Sequence, residues 1–382
     1  MTVVAGLNKR LAALTAAGTA VWLDEIRRSL TRDGELARLV QEDSLRGVTS
    51  NPAIFEKAIV GSPDYHMQIE TLARAGAGAR AIYEAIAVKD VQEAADVLRP
   101  VYDELDGRDG FVSLEVDPEL AFDGDRTITQ AREYWQRVAR PNAMIKIPGT
   151  PQGVPAIEQA IYEGINLNVT LLFSVDAYAA IAEAYIRGLE RRHADGLALN
   201  VHSVASFFIS RVDAEVDKRL RATRHDELCG IAALANARTA YRRFEDIFRG
   251  ERFETLRAAG ATVQRPLWAS TGVKDPTYPD TMYVDGLVGP DTVNTMPMAT
   301  LRACSQRLDV TGDTIRYDSA PELEALAAAG IDLHDVTDKL LRDGVDAFVT
   351  PMRALLASID IVRTLAADST AMGVREHYRE AT

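Results

Sequence analysis

Ala20-Val-Trp-Leu-Asp-Glu25 reads as a short β-strand that runs out on two carboxylates. That ending decides the fold. A doubly wound nucleotide-binding sheet leaves its first strand through glycines that let the backbone approach a phosphate, and no glycine stands here. Working outward, similar β-rich runs recur at Gly47–Asn51, Phe111–Val116, Ala143–Pro148, Leu167–Phe173, Asn200–Phe208, Arg265–Thr271 and Met282–Val288, which with the first makes eight. Helical periodicity fills the spaces between them. Strands alternating with helices are parallel strands joined by crossovers. Eight such units predict an α/β fold, a (β/α)8 TIM barrel.

The helical signals are specific in places. Thr127-Ile-Thr-Gln130 has the pattern of a capping box, and Ile128, Ala131, Trp135 and Val138 run on from it at helical spacing. Val154, Ile157 and Ile161 form a stripe that stops before Gly164, a residue suited to the left-handed position past a helix end. From 229 to 259 the apolar spacing of Ile231, Leu234, Ala237, Tyr241, Phe244 and Ile247 predicts one long amphipathic helix closed by Gly260. The stretch Met1–Gly18 also reads as a helix, since Lys9 and Arg10 interrupt its apolar pattern where a cleaved signal would have none. No Pro/Gly/Ser-rich linker divides the chain. The expectation is therefore a single domain over 1–382. Its length beyond a plain barrel is assigned to a helical insertion at about 52–110 and to helices from about 321 to 382, which should cover part of the barrel.

Composition narrows the function. A net charge of −13 argues against nucleic acid or an anionic membrane surface as partner. No apolar run approaches the roughly 18 residues a membrane helix needs. Cys229 and Cys304 have no paired spacing, so neither a disulfide framework nor a zinc site is expected, and a reducing cytoplasm is the natural compartment. The six histidines form no metal-like cluster, and no phosphate-loop or nicotinamide fingerprint occurs; no metal and no cofactor is expected. Only seven of the 43 Lys and Arg residues are lysine, which makes each lysine worth inspecting.

In a barrel the chemistry sits at the C-terminal ends of the strands. Those ends supply Asp24, Thr49-Ser50-Asn51, Glu115, Lys146, Asn168, Thr170, Ser206, Arg211, Ser270 and Lys274. Lys146 stands between apolar neighbours in Met144-Ile-Lys-Ile-Pro148. Desolvation lowers the proton affinity of an ammonium and frees the amine to attack a carbonyl, giving a Schiff base. It could equally be a strand lysine reaching out of the barrel end or one paired to a buried carboxylate. Asp24 and Glu115 are the acid/base candidates such chemistry needs. Their structural alternatives are an N-cap for Asp24 and a charge partner of Lys146 for Glu115. Asn51 before Pro52 fits ordinary helix capping as well as an amide for substrate hydroxyls. Arg211, Lys274, Ser206 and Ser270 follow the sixth and seventh strands, where barrels often hold phosphate.

At these residues the sequence resembles transaldolase. Gly47-Val-Thr-Ser-Asn-Pro-Ala-Ile-Phe55 is similar to one family signature. Ile145-Lys-Ile-Pro-Gly-Thr150, with Gly164-Ile-Asn-Leu-Asn-Val-Thr-Leu-Leu-Phe-Ser174, is similar to the active-site lysine segment and the strand after it. The resemblance runs from about Val21 to Pro297 and is to the longer bacterial subgroup. It implies a barrel of the class I aldolase type with its lysine on the fourth strand. It makes Lys146 the Schiff-base residue, Asp24 the acid/base, Glu115 the proton relay and Thr170 the holder of a water. It puts Asn51 and Asn168 on substrate hydroxyls, with Ser206, Phe208 and Arg211 lining the phosphate end. The implied reaction moves a dihydroxyacetone unit from sedoheptulose 7-phosphate to glyceraldehyde 3-phosphate. A related Schiff-base aldolase acting on fructose 6-phosphate or another sugar phosphate is the alternative. Phosphorylated sugars are the expected partners, and a monomer or homodimer the expected state. One element departs from the family: Ala269-Ser270 is followed by Thr-Gly-Val-Lys274 where many members carry Phe-Arg. Lys274 would then replace a forked guanidinium with a point charge.

Overall fold

Eight parallel strands close into a barrel in sequence order in the computed structural model, which describes residues 6–380. The strands are β1 (Thr19–Leu23), β2 (Leu45–Val48), β3 (Phe111–Glu115), β4 (Ala143–Pro148), β5 (Leu167–Leu172), β6 (Ser203–Phe208), β7 (Arg265–Ala269) and β8 (Thr292–Met296). β1 pairs with both β2 and β8, which closes the ring. Almost every strand residue is buried, because side chains point alternately into the barrel and out against the helices.

Three sequence expectations are corrected. Met282–Val288 is not the eighth strand. Met282–Asp285 forms a helical turn, tied by Thr281 Oγ1 donating to Asp285 Oδ2 at 2.6 Å, and the strand is the more polar Thr292-Val-Asn-Thr-Met296. Its polar residues have partners inside the barrel: Thr292 Oγ1 lies 2.9 Å from Thr19 Oγ1, and Asn294 Oδ1 accepts from Thr271 Oγ1 at 2.9 Å. Buried hydrogen bonding let polar residues fill a strand that hydrophobicity alone passes over. The box at Thr127 is not a cap either. The helix Gly124–Val138 starts one turn earlier on Asp123, whose carboxylate accepts from Arg126 N. Thr127 instead donates to the Leu120 carbonyl, and Gln130 accepts from Asp117 N. Finally, the 229–259 stretch is two helices, Ala232–Phe248 and Glu251–Ala258, parted at Gly250.

Elsewhere the local rules hold. Val154–Glu163 ends on Gly164 at φ +86°, a conformation an L side chain resists. The N-terminal pattern becomes a helix at Lys9–Ala16, capped by Asn8; its first five residues, and the last two of the chain, lie outside the described residues. The 52–110 segment folds as Pro52–Ile59, Pro63–Arg74 and Ala79–Glu104.

The foot of the barrel is sealed by Trp22, whose indole fits only because residue 47 is glycine; a Cβ there would stand 2.3 Å from the ring. The Trp22 Nε1 donates to Asp109 Oδ1 at 2.7 Å, and Arg265 donates to the other oxygen at 3.1 Å. At the head, the helix Leu333–Glu380 crosses the strand ends. It packs on Pro52–Ile59, Pro63–Arg74, Ala79–Glu104, Ser210–Ala222 and β5. Val336, Leu340, Val345, Phe348, Met352, Leu355 and Ile359 make its buried stripe. No described helix is long and apolar enough to cross a membrane.

Candidate active site

β3, β4, β5 and β6 bring the site together by register. Glu115 lies opposite Lys146, and Lys146 opposite Asn168. The Lys146 Nζ is buried, 3.2 Å from Glu115 Oε2, and donates to the Ser50 carbonyl at 3.1 Å. The Glu115 contact is one of charge: neither carboxylate oxygen has a partner with hydrogen-bond geometry among the described residues. Burial pushes the Glu115 carboxyl up to about 7 against the pull of Lys146, with nearby Asp24 adding to the rise. A carboxyl poised there can take or give a proton near neutrality.

Asp24 lies just past β1 and caps no helix. Its Oδ1 accepts from Thr49 Oγ1 at 2.7 Å. Burial raises its carboxyl, and Lys146, the Thr49 hydrogen bond, Arg211 and Lys274 pull it back. All three cations thus favour the charged form of one carboxylate.

Asn168 is held at both ends of its amide. Its Nδ2 donates to Ser113 Oγ at 3.0 Å and its Oδ1 accepts from Ser206 Oγ at 2.6 Å. That leaves the amide one N–H and its remaining lone pair for a ligand. The backbone around Thr170 is irregular: the β5–β6 register shifts between Val169 and Leu172, and Leu171 sits at φ +60°. The Thr170 Oγ1 is buried with no partner among the described residues. Buried hydroxyls rarely go unmatched, so this one has capacity for a bound water or substrate.

Asn51 does cap, its Oδ1 accepting from Ile54 N at 3.0 Å; its amide N–H groups donate to nothing among the described residues. Arg211 opens the helix Ser210–Ala222, its guanidinium 5.3 Å from the Phe208 ring. Phe208 in turn packs on Phe173 with centroids 5.1 Å apart. Burial lowers the proton affinity of Lys274, and Arg211 and Lys57 lower it further, while Asp24 opposes them. Neither Arg211 nor Lys274 has a salt-bridge partner among the described residues, although the chain carries 56 acidic residues. A partly buried Arg211 and an exposed Lys274, both without an ion-pair partner among the described residues, suit an anionic group with several oxygens. Ser270 stands apart from the lysine. Held at φ +56°, its hydroxyl lies 3.0 Å from Ser210 Oγ, beside Arg211.

Some contributors are named by the sequence without a role, and others are not named at all. Thr49 orients Asp24, the Ser50 carbonyl fixes Lys146, and Ser113 braces Asn168. Thr49 and Ser50 are among the polar strand-end residues the sequence marks; Ser113 is not. Burial raises the phenol of Tyr83, from the 52–110 segment, and nearby Glu115 adds to the rise. Phe348 comes from the C-terminal helix and places its ring 5.5 Å from Lys146 Nζ. No group of three or more His, Cys, Asp or Glu that could hold a metal occurs among the described residues.

Comparison with known proteins bears on this geometry. The family described as Transaldolase/Fructose-6-phosphate aldolase matches residues 21–359. A transaldolase of Saccharopolyspora erythraea is 48% identical over 357 residues, covering 92% of this chain and 97% of that one. A transaldolase of Thermobifida fusca is 51% identical over 357 residues, with the same coverage of 92% and 97%. A transaldolase of Mycolicibacterium smegmatis is 49% identical over 356 residues, covering 91% and 96%. The match runs from within β1 through β8 and takes in every residue of the site, and the chain belongs to the transaldolase/fructose-6-phosphate aldolase family.

Proposed function

We propose that the protein is a transaldolase working through a Schiff base on Lys146. It transfers a dihydroxyacetone unit from sedoheptulose 7-phosphate to glyceraldehyde 3-phosphate, giving erythrose 4-phosphate and fructose 6-phosphate. The observation that carries this reading is the buried Lys146 amine 3.2 Å from a Glu115 carboxyl raised to about 7. Glu115 takes a proton from the amine, which attacks the C2 ketone. Returned to the carbinolamine oxygen through a water on Thr170, that proton lets water leave as the imine forms. Asp24 removes the C4 hydroxyl proton, the C3–C4 bond breaks, and its electrons flow to the imine nitrogen as the aldose phosphate departs. The three-carbon enamine left on Lys146 attacks the second aldehyde, Asp24 returns its proton to the new alkoxide, and water frees the product.

Asn51 and Asn168 are assigned to substrate hydroxyls; Ser206 braces Asn168. Arg211 and Lys274 take the phosphate, Phe208 supports Arg211 by lying under its guanidinium, and Ser270 steadies the helix start through Ser210. The helices over 52–104 and beyond 320 pack on the barrel and support reading the chain as one domain.

Borohydride added with fructose 6-phosphate should trap a covalent adduct on Lys146, located by peptide mass. An adduct on another lysine, or none, overturns the mechanism.

A further inference from the structure

The family description joins two outcomes of one chemistry, transfer of a three-carbon unit and its release. Both pass through the same enamine if the reading above holds, and this inference rests on it. Transfer occurs when C3 of the enamine bonds to an aldehyde carbon. Release occurs when C3 takes a proton instead; water then adds to C2, the C2–N bond breaks, and free dihydroxyacetone leaves with the Lys146 amine restored. What separates them is whether water and protons reach the intermediate before the aldehyde does.

One buried residue outside the strands and their loops stands at that point. The Phe348 ring lies 5.5 Å from Lys146 Nζ and 6.0 Å from the Arg211 guanidinium carbon. It is 4% exposed. It therefore spans the gap between the amine and the phosphate-end cation, along the course of the sugar chain. Its face attracts a cationic nitrogen without offering a proton or a site for water. Its position is firmly set. One turn earlier on the same helix, a Cβ on Gly344 would come within 3.1 Å of Leu171 and 3.4 Å of Phe173, so the helix backbone rests on the end of β5. One turn later Arg353 donates to Glu119, in the segment after β3, at 2.8 Å.

We propose that Phe348 is a specificity-determining residue that shields the Lys146-bound three-carbon intermediate from water, and so favours transfer over release. The ring forms an apolar wall beside the nitrogen and excludes the solvent that would carry a proton to C3. None of the strand-end residues assigned to the chemistry does this, since each is polar or belongs to the phosphate end.

The test measures two products from the full-length protein given fructose 6-phosphate, with and without glyceraldehyde 3-phosphate: free dihydroxyacetone and transferred three-carbon unit. In Phe348→Ala the release-to-transfer ratio should rise by about tenfold or more. Phe348→Leu keeps apolar bulk and should hold the ratio within about twofold of wild type. Phe348→Gln has similar reach but can bind water. It should raise the ratio, and provides the reading if the alanine variant fails to fold. An unchanged ratio in the folded Ala or Gln variant, even with slower turnover, overturns the proposal, because a purely structural role lowers both products together. Borohydride trapping runs in parallel. No adduct on Lys146 in the wild type overturns the Schiff-base reading and this proposal with it. An adduct with an unchanged ratio overturns this proposal alone.

Discussion

Strand β3 has a buried carboxylate at each end, and the two are finished in opposite ways. At the foot, Asp109 meets the Trp22 indole at 2.7 Å, the Gly110 N–H at 3.2 Å and Arg265 at 3.1 Å. At the head, Glu115 faces Lys146 at 3.2 Å, and neither of its oxygens has a partner in good hydrogen-bond geometry among the described residues. One strand thus has one end built to stay put and one end suited to the proton exchange proposed for Glu115. A carboxylate with its lone pairs committed to donors stiffens the fold. One left short of donors in a buried site keeps its proton up to about pH 7, where it can be both taken and given. Burial is equal at the two ends, so partner supply is what separates structure from chemistry here.

Mutation can break this contrast, and the expected effects on turnover run from large to none. Lys146→Met removes the proposed nucleophile, and kcat should fall by about 10⁴-fold or more in a coupled assay. Glu115→Gln keeps the shape but not the proton, and kcat should fall by roughly 10²–10⁴-fold. The acidic limb of the pH–rate profile should disappear with it. Glu115 also predicts a stability effect of definite sign. Its folded proton affinity is raised, so the stability it contributes is complete below about pH 4.5 and is lost as pH rises through about 7. The melting temperature of Glu115→Gln, relative to wild type, should therefore climb across that window. Lys274→Met should leave kcat nearly intact and raise KM for phosphorylated sugars by about tenfold; an unchanged KM would move the phosphate role to another cation. At the opposite end of the strand, Asp109→Asn should cost about 1–3 kcal/mol of unfolding free energy in a denaturant titration. Its kcat should stay within about twofold of wild type. A loss of turnover there, without a loss of stability, would erase the distinction between the two ends.

Much of the reactive end of this contrast was legible from residue order. Lys146, Glu115 and Asp24 stood out because a charged group at the end of an apolar run is costly unless it is used. Their places on adjacent strands made Glu115 one candidate charge partner of Lys146, and the strand register sets the two side by side. The foot was not legible in this way, since Asp109 precedes β3 in a polar turn and its partners lie far off, at Trp22 and Arg265. The eighth strand was misplaced because its polar residues are matched across the barrel interior, information that a single run of sequence does not hold. Phe348 was hidden for a related reason. On its helix it is one more member of an apolar stripe, and only the crossing of that helix over the barrel mouth turns core packing into the wall of a site.

The left-handed backbone at Leu171 has a consequence for how the molecule is assembled. A leucine held at φ +60° carries roughly 1–3 kcal/mol of strain. It is the distortion beside which Thr170 keeps a free hydroxyl. What lies on that leucine is the backbone of Gly344, far along the chain. Synthesis proceeds from the N-terminus, so β5 and the rest of the barrel are made before the helix that clamps the bulge exists. The residue that rests on the bulge is thus among the last of the fold to be made.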